Sequence, residues 1–296
     1  MHEHGDFTIY SNILKKLVGI LKKLALDPYL CLKQQWRMCT RYSIASLSTA
    51  IEKEFQAEFQ YSFQKIYNAH FGLELPVILA GEESKIVGLR WGLIPYWSRE
   101  PNLKFHNINS SARNIVKNAA YRVPVRRRRC LVLANCYFSW ARTAQGKKVP
   151  YVVYDAKQRI QSFAGVWDSW VNNEKTRIIQ SFSIVTAPSI KRLRLYSETM
   201  PVIIPPGRRR KFLRMSTPLM DVMRMLRPKE SDSINLYPVS NKVNDFHQDS
   251  RDMLLPVGQR VYKEYSYVPK VYLKLEGMGS KKDNPDRQPE IKIMLD

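Results

Sequence analysis

The sequence predicts an α+β fold in which strands dominate the middle of the chain. Three observations carry that expectation: β-branched and aromatic runs recur between residues 75 and 187, turn residues separate them, and helical periodicity is confined to short segments around and between them. The strand-like runs are LPVILA (75–80), IVGLRWGLI (86–94), RCLVLANCYFSW (129–140), VPYVVYD (149–155), SFAGVWDSW (162–170) and QSFSIVTA (180–187). Gly146 among its lysines and the pair Asn172-Asn173 mark turns. Strands and helices do not alternate regularly, so a doubly wound parallel sheet is not expected.

The helices are few. In residues 47–59, Leu47, Ile51, Phe55 and Phe59 recur at helical spacing, with Ser48 as a candidate N-cap and Glu52 one residue off capping-box register. Residues 111–121 predict a second helix, and 208–226 a third that Pro218 should cap or break. Residues 1–37 read as a separate basic extension. Within it, Ile13, Leu14, Leu17, Val18, Leu21 and Leu24 share one helical face, with Lys15, Lys16, Lys22 and Lys23 off it. That pattern suits an interfacial anchor, a targeting segment, or a stretch outside the functional protein. Residues 38–262 form the expected domain, and 263–296 a tail that turns polar and Gly/Pro-rich over 276–290.

Charge narrows the partner. Forty-eight Lys and Arg against 26 Asp and Glu leave a formal +22, an excess that calls for a polyanion such as DNA, RNA or an anionic membrane surface. Cys31, Cys39, Cys130 and Cys136 show no CxxC pair and no histidine at metal spacing, so neither a metal, a cofactor nor a disulfide framework is expected. A reducing, cytoplasmic location fits that usage. No apolar run approaches the length of a membrane span.

The positive charge is clustered in Arg126–Arg129 and in GRRRKFLR (207–214). Single-stranded nucleic acid needs cations along a groove and aromatic faces for unpaired bases. RWGLIPYW (90–97) offers Trp91, Tyr96 and Trp97 beside Arg90 and Arg99, a platform reading that competes with a plain core role for the tryptophans.

In order along the chain, RMCTRYS (37–43), IYNAH (66–70), LPVI (75–78), LRWGLIPYW (89–97), RCLVLANCYFSW (129–140), FAGVWDSW (163–170), FSIVTA (182–187), MPVII (200–204) and YPVSNKVN (237–244) resemble the successive motifs of the SRAP (SOS response-associated peptidase, or abasic site processing) family. The blocks span about three quarters of the chain. The resemblance implies one compact α+β domain with a mixed, partly barrel-like sheet flanked by helices. It also implies a monomer acting in the DNA damage response that binds single-stranded DNA, and in a bacterium a place at the nucleoid. Family members link an N-terminal cysteine covalently to abasic sites, and are named for an autopeptidase activity that removes the residues preceding it.

By resemblance, Cys39 is the nucleophile. As a terminal residue it would offer an amine and a thiol, which together close a thiazolidine on the ring-opened abasic aldehyde. An α-amine with a pKa of about 8 is about one-tenth free at neutral pH, whereas lysine is almost wholly protonated. Here 38 residues precede Cys39, so the chemistry requires a start at Met38 with that methionine trimmed, or cleavage of the extension. Asn68 and Asn109 match the family's site asparagines. Arg41 and Arg122 are the expected phosphate ligands, with Arg90 a third, and Trp91, Pro95 and Trp140 would pack around the lesion. The sequence departs from the family at its proton-transfer groups: Ser139 takes the glutamate position and Ser197 the histidine position. Ser111, Thr40 and Cys136 replace a further arginine and two glycines. Two functions follow, a covalent abasic-site protein or a degenerate relative that binds single-stranded DNA without covalent chemistry.

Overall fold

The computed structural model describes residues 40–101, 107–143, 145–157 and 160–263. The extension, Cys39 and the tail beyond Lys263 lie outside them. The chain divides into a unit ending at Val261 and one running from Tyr262 to the C-terminus; the fold below is that of the first.

Among the described residues, thirteen strands and four short helices follow one another. They are β1 (Arg41–Ile44), α1 (Ser48–Phe55), β2 (Glu58–Phe59), β3 (Ile66–His70), β4 (Glu74–Leu79), β5 (Lys85–Trp91), β6 (Asn109–Ser111), α2 (Pro124–Arg127), β7 (Arg129–Ala134), β8 (Cys136–Arg142), β9 (Lys148–Asp155), β10 (Gln161–Val171), β11 (Ile178–Pro188), β12 (Thr199–Pro201), α3 (Pro206–Leu213), α4 (Leu219–Met225) and β13 (Ile234–Pro238). One sheet is antiparallel, in the order β13-β9-β8-β1-β3. The other runs β12-β11-β10-β7-β4-β5-β2, with β6 beside β11. A parallel pairing of β5 with β11 closes its five central strands into a ring. The fold is therefore α+β, with a mixed, partly barrel-like sheet flanked by short helices.

The core lies inside that ring and between it and the antiparallel sheet. Tyr42 of β1 meets Trp91 at 5.2 Å and Phe163 at 6.0 Å, and Trp91 stacks on Phe182. Trp91 is 0 % exposed and its indole donates to the Ile108 carbonyl. Gly92 follows it at φ +118°, a conformation that favours glycine, so the chain can leave β5 sharply while its N–H bonds Phe182. Across β7 and β10, a Cβ on Gly165 would lie 2.6 Å from the Cys130 sulfur, so a side chain there would force the two strands apart.

Three local expectations are corrected. The run 129–140 is two strands, because Asn135 bends the chain from one sheet to the other. Its side-chain oxygen accepts from Ala45 and Ser46, and its own N–H bonds the Ser43 carbonyl. Residues 112–123 form successive turns rather than a helix. There the Asn118 side chain takes the Ala120 N–H, competing with helical pairing. Ser48 is the first residue of α1 and not its cap, which is Leu47 with no side-chain bond. Pro218 does divide the third predicted helix, standing at the N-cap of α4. No helix among the described residues is long and apolar enough to cross a membrane.

Candidate functional site

β1 runs between β3 and β8, so Arg41 at its start is flanked by β3 on one side and by the strand leading to Ser139 and Trp140 on the other. In the antiparallel register Arg41 lies directly opposite His70. Paired residues project to the same face of a sheet, and so do residues two apart along a strand. Arg41, Asn68 and His70 thus form one cluster, closed over by the segment that follows β13.

Arg41 is only 2 % exposed. Its guanidinium donates to Asn68 Oδ1 at 3.1 Å and to the Asn244 carbonyl at 2.8 Å, and it lies 3.9 Å from the Phe246 ring centroid. Burial pulls its pKa down to about 10 while Asp245 opposes the shift, so the group stays charged at neutral pH. Asn68 is also buried. Its amide nitrogen serves the carbonyls of Gln248 at 2.8 Å, Asp245 at 3.0 Å and, more weakly, Val243 at 3.4 Å. The Asp249 carboxylate accepts from the N–H groups of Tyr67 and Asn68, both at 2.7 Å. Asn68 therefore acts as a clip between β3 and residues 243–248, with its polar atoms already turned inward.

The same segment reaches β8. Trp140, half-buried, donates from its indole to Asn244 Oδ1 at 2.9 Å and packs on the cluster of Phe138, Val152, Val243 and Met253. Beside it, the buried Ser139 hydroxyl donates to the Tyr196 carbonyl at 3.0 Å. Ser139 and Ser197 are thus neighbours, since Ser197 follows Tyr196 and turns its own hydroxyl to the Thr199 carbonyl.

The other candidates sit on the barrel sheet. Asn109 is buried in β6, paired with Ile184, and the Tyr121 hydroxyl donates to its carbonyl. Arg90 of β5 stands opposite Glu74. Trp91 and Pro95 are buried and present no face to a base. The exposed aromatics of that motif are Tyr96 and Trp97, at 56 % and 46 % exposure. Their loop is fixed: Asp168 accepts the Tyr96 N–H and pairs with Arg128, Trp170 donates to Ser98, and the Ser181 hydroxyl accepts from Ile94.

The arginine runs are only partly available to phosphate. Arg129 is wholly buried and serves the carbonyls of Val125, Arg126, Phe212 and Arg214, capping the ends of α2 and α3 together. Arg209 is likewise turned inward, to Glu54 and the Ser162 hydroxyl. Because Arg129 gathers the two helix ends, the exposed Arg126, Arg127, Arg210 and Arg214, with Arg122 before α2, belong to one basic region.

Of the cysteines, Cys130 and Cys136 are buried and free, and burial raises both thiol pKa values, that of Cys136 to about 12. Such thiols stay protonated and inert. Among the described residues, no three His, Cys, Asp or Glu side chains gather as metal ligands.

Sequence reading missed His70, Asn244 and Phe246. His70 was legible as the second residue after Asn68 on the same strand face. Asn244 and Phe246 reach the site only through tertiary packing.

The comparisons identify the family and the fold. Residues 38–246 match the family model for the SOS response associated peptidase (SRAP). The chain is 26 % identical over 222 residues to the abasic site processing protein YoaM of Bacillus subtilis, covering 73 % of this chain and 97 % of that protein. It is 26 % identical over 206 residues to the abasic site processing protein HMCES of Gallus gallus, covering 62 % of this chain and 60 % of that one. A crystal structure of a protein from Bacteroides thetaiotaomicron superposes with a TM-score of 0.65 at 22 % identity, over 70 % of this chain and 97 % of that one. With residues 38–246, well over half of the chain, matched to its model, the chain belongs to the SOS response associated peptidase (SRAP) family.

Proposed function

We propose that this protein binds single-stranded DNA and captures abasic sites in the DNA damage response. In this reading Cys39, once N-terminal, forms a covalent thiazolidine with the lesion. The observation that carries it is the Arg41 cluster: a buried, charged guanidinium held by Asn68, Asn244 and Phe246, separated from Cys39 by Thr40 alone. The inertness of Cys130 and Cys136 supports the same choice of nucleophile. So do the relatives named as abasic site processing proteins. The fixed Tyr96–Trp97 loop supplies faces for unpaired bases, and the exposed arginines around α2 and α3 supply phosphate contacts.

A second reading, DNA binding without covalent chemistry, draws on Ser139 and Ser197. Both hydroxyls donate to backbone carbonyls, and neither is a base near neutral pH. A denaturing gel decides between the two. The full chain, a version begun at Met38 and its Cys39→Ala variant would each meet single-stranded DNA with one abasic site. A Cys39-dependent shifted band from the shorter form supports cross-linking. Binding without any band supports the second reading.

A further inference from the structure

We infer that the buried Asp168 carboxylate is a positioning residue for DNA binding, joining the arginines of α2 to the Tyr96–Trp97 loop so that one strand meets both; the inference rests on the single-stranded DNA reading above. α2 carries the exposed Arg126 and Arg127 and ends at its C-cap, Arg128. The Arg128 carbonyl accepts the Trp167 N–H at 2.8 Å, which ties the helix end to β10. Its guanidinium pairs with Asp168 Oδ1 and lies 5.8 Å from the Trp167 ring centroid. The other carboxylate oxygen, Oδ2, accepts the Tyr96 N–H at 3.0 Å. One wholly buried side chain thus holds the end of the basic helix with one oxygen and the aromatic loop with the other.

A carboxylate is costly to bury unless its charge is paired and its lone pairs are used. Asp168 meets that condition through Arg128 and Tyr96, with the Ser169 N–H adding a bond to Oδ1 at 2.9 Å. A buried ion pair adds little stability over apolar side chains of the same volume, so what this one contributes is a defined position. Two further bonds complete the hold. Trp170, two residues on along β10, donates to the Ser98 carbonyl at 2.6 Å, and the Ser181 hydroxyl accepts the Ile94 N–H at 2.8 Å.

The loop is therefore fixed at residues 94, 96 and 98, while the exposed Tyr96 and Trp97 rings stand edge to face, 4.9 Å apart. A ring ordered before binding loses less entropy when a base stacks on it. Cations beside it neutralise the phosphates that flank the stacked base. Arg128 acts through Asp168 in this arrangement and is not one of the phosphate ligands.

The test uses the full chain and fluorescein-labelled oligothymidylate. Affinity and its salt dependence are measured for the wild type, Asp168→Asn, Arg128→Lys, Trp97→Ala and the double variant Asp168→Asn/Trp97→Ala. In Asp168→Asn an amide NH2 faces one of the two donors, so one link is lost. The account expects a loss of affinity of roughly 10-fold, within what one base–aromatic stack contributes. It expects an unchanged slope of log affinity against log salt, and no further loss when Asp168→Asn is added to Trp97→Ala. Arg128→Lys keeps the charge without the planar fork and should behave as Asp168→Asn does. Equal losses in both backgrounds overturn the inference. So does tighter binding with a steeper slope, which would mean that Asp168 only withholds Arg128 from phosphate. If the variants fail to fold, amide exchange of the wild type decides: the Tyr96 N–H must exchange as slowly as those of β10, and exchange at the rate of an open loop overturns the link. Unchanged affinity in Trp97→Ala overturns the positioning role and leaves the DNA reading standing, whereas no binding by the wild type overturns both.

Discussion

Asn68→Ala separates a buried clip from a surface ligand. The substitution removes the acceptor of one buried Arg41 N–H and the donor to the carbonyls of Asp245 and Gln248, two part-buried bonds. A neutral intramolecular hydrogen bond is worth about 1 kcal/mol and one to a charged group about 2 kcal/mol, with an added cost when buried partners are left unpaired. The expected loss is therefore about 4 kcal/mol. For a domain of this size that lowers Tm by roughly 8–16 °C and leaves the chain folded at 25 °C. Thermal melts would read the loss, and amide exchange would show residues 243–248 released first. A Tm drop under about 3 °C, with protection of that segment intact, would refute the clip and return Asn68 to a role facing DNA.

Other consequences are independent of that clip. Arg129→Met removes the donor that serves four carbonyls at the ends of α2 and α3, and should cost about 3–5 kcal/mol in a urea melt. Trp97→Ala should weaken single-stranded DNA binding by about 1–3 kcal/mol in a fluorescence titration, whereas an unchanged affinity removes the loop from the interface. Neutralising Arg126, Arg127, Arg210 and Arg214 together should flatten the slope of log affinity against log salt by roughly 3 if all four touch phosphate. His70 has a folded pKa below its unfolded one, so its neutral form favours the fold. That contribution is full above the unfolded value of about 6.5 and is lost as pH falls below it. The stability gap between wild type and His70→Gln should therefore shift against the wild type from pH 7.5 to 5.

Many of the strands in both sheets were legible because they carry β-branched and aromatic runs. LPVILA, VPYVVYD and QSFSIVTA correspond to β4, β9 and β11 with ends moved by one or two residues. The ring closure was not legible from periodicity, since the β5–β11 pairing joins residues some 90 apart. The motif LRWGLIPYW divides in an instructive way. Trp91 and Gly92 close the core and turn the chain, while the exposed aromatic faces fall at Tyr96 and Trp97. A residue list cannot separate these roles, because a tryptophan serves a core and a base platform equally well. The arginine runs show the same limit. Arg129 and Arg209 are turned inward by helix-end carbonyls and a carboxylate that only tertiary packing brings to them. At the site, Arg41 and Asn68 were identified from their motifs. Their partners at 244–248 lie more than 170 residues away along the chain and no local pattern announces them.

The most direct test of the central claim is the intact mass of the cross-linked product. The Met38-start protein would be incubated with an abasic single-stranded oligonucleotide and digested, and the modified peptide sequenced. The account predicts a mass equal to protein plus DNA minus one water, with the modification on an N-terminal Cys39. A product attached at lysine, or an unmodified protein that still binds the oligonucleotide, would contradict it.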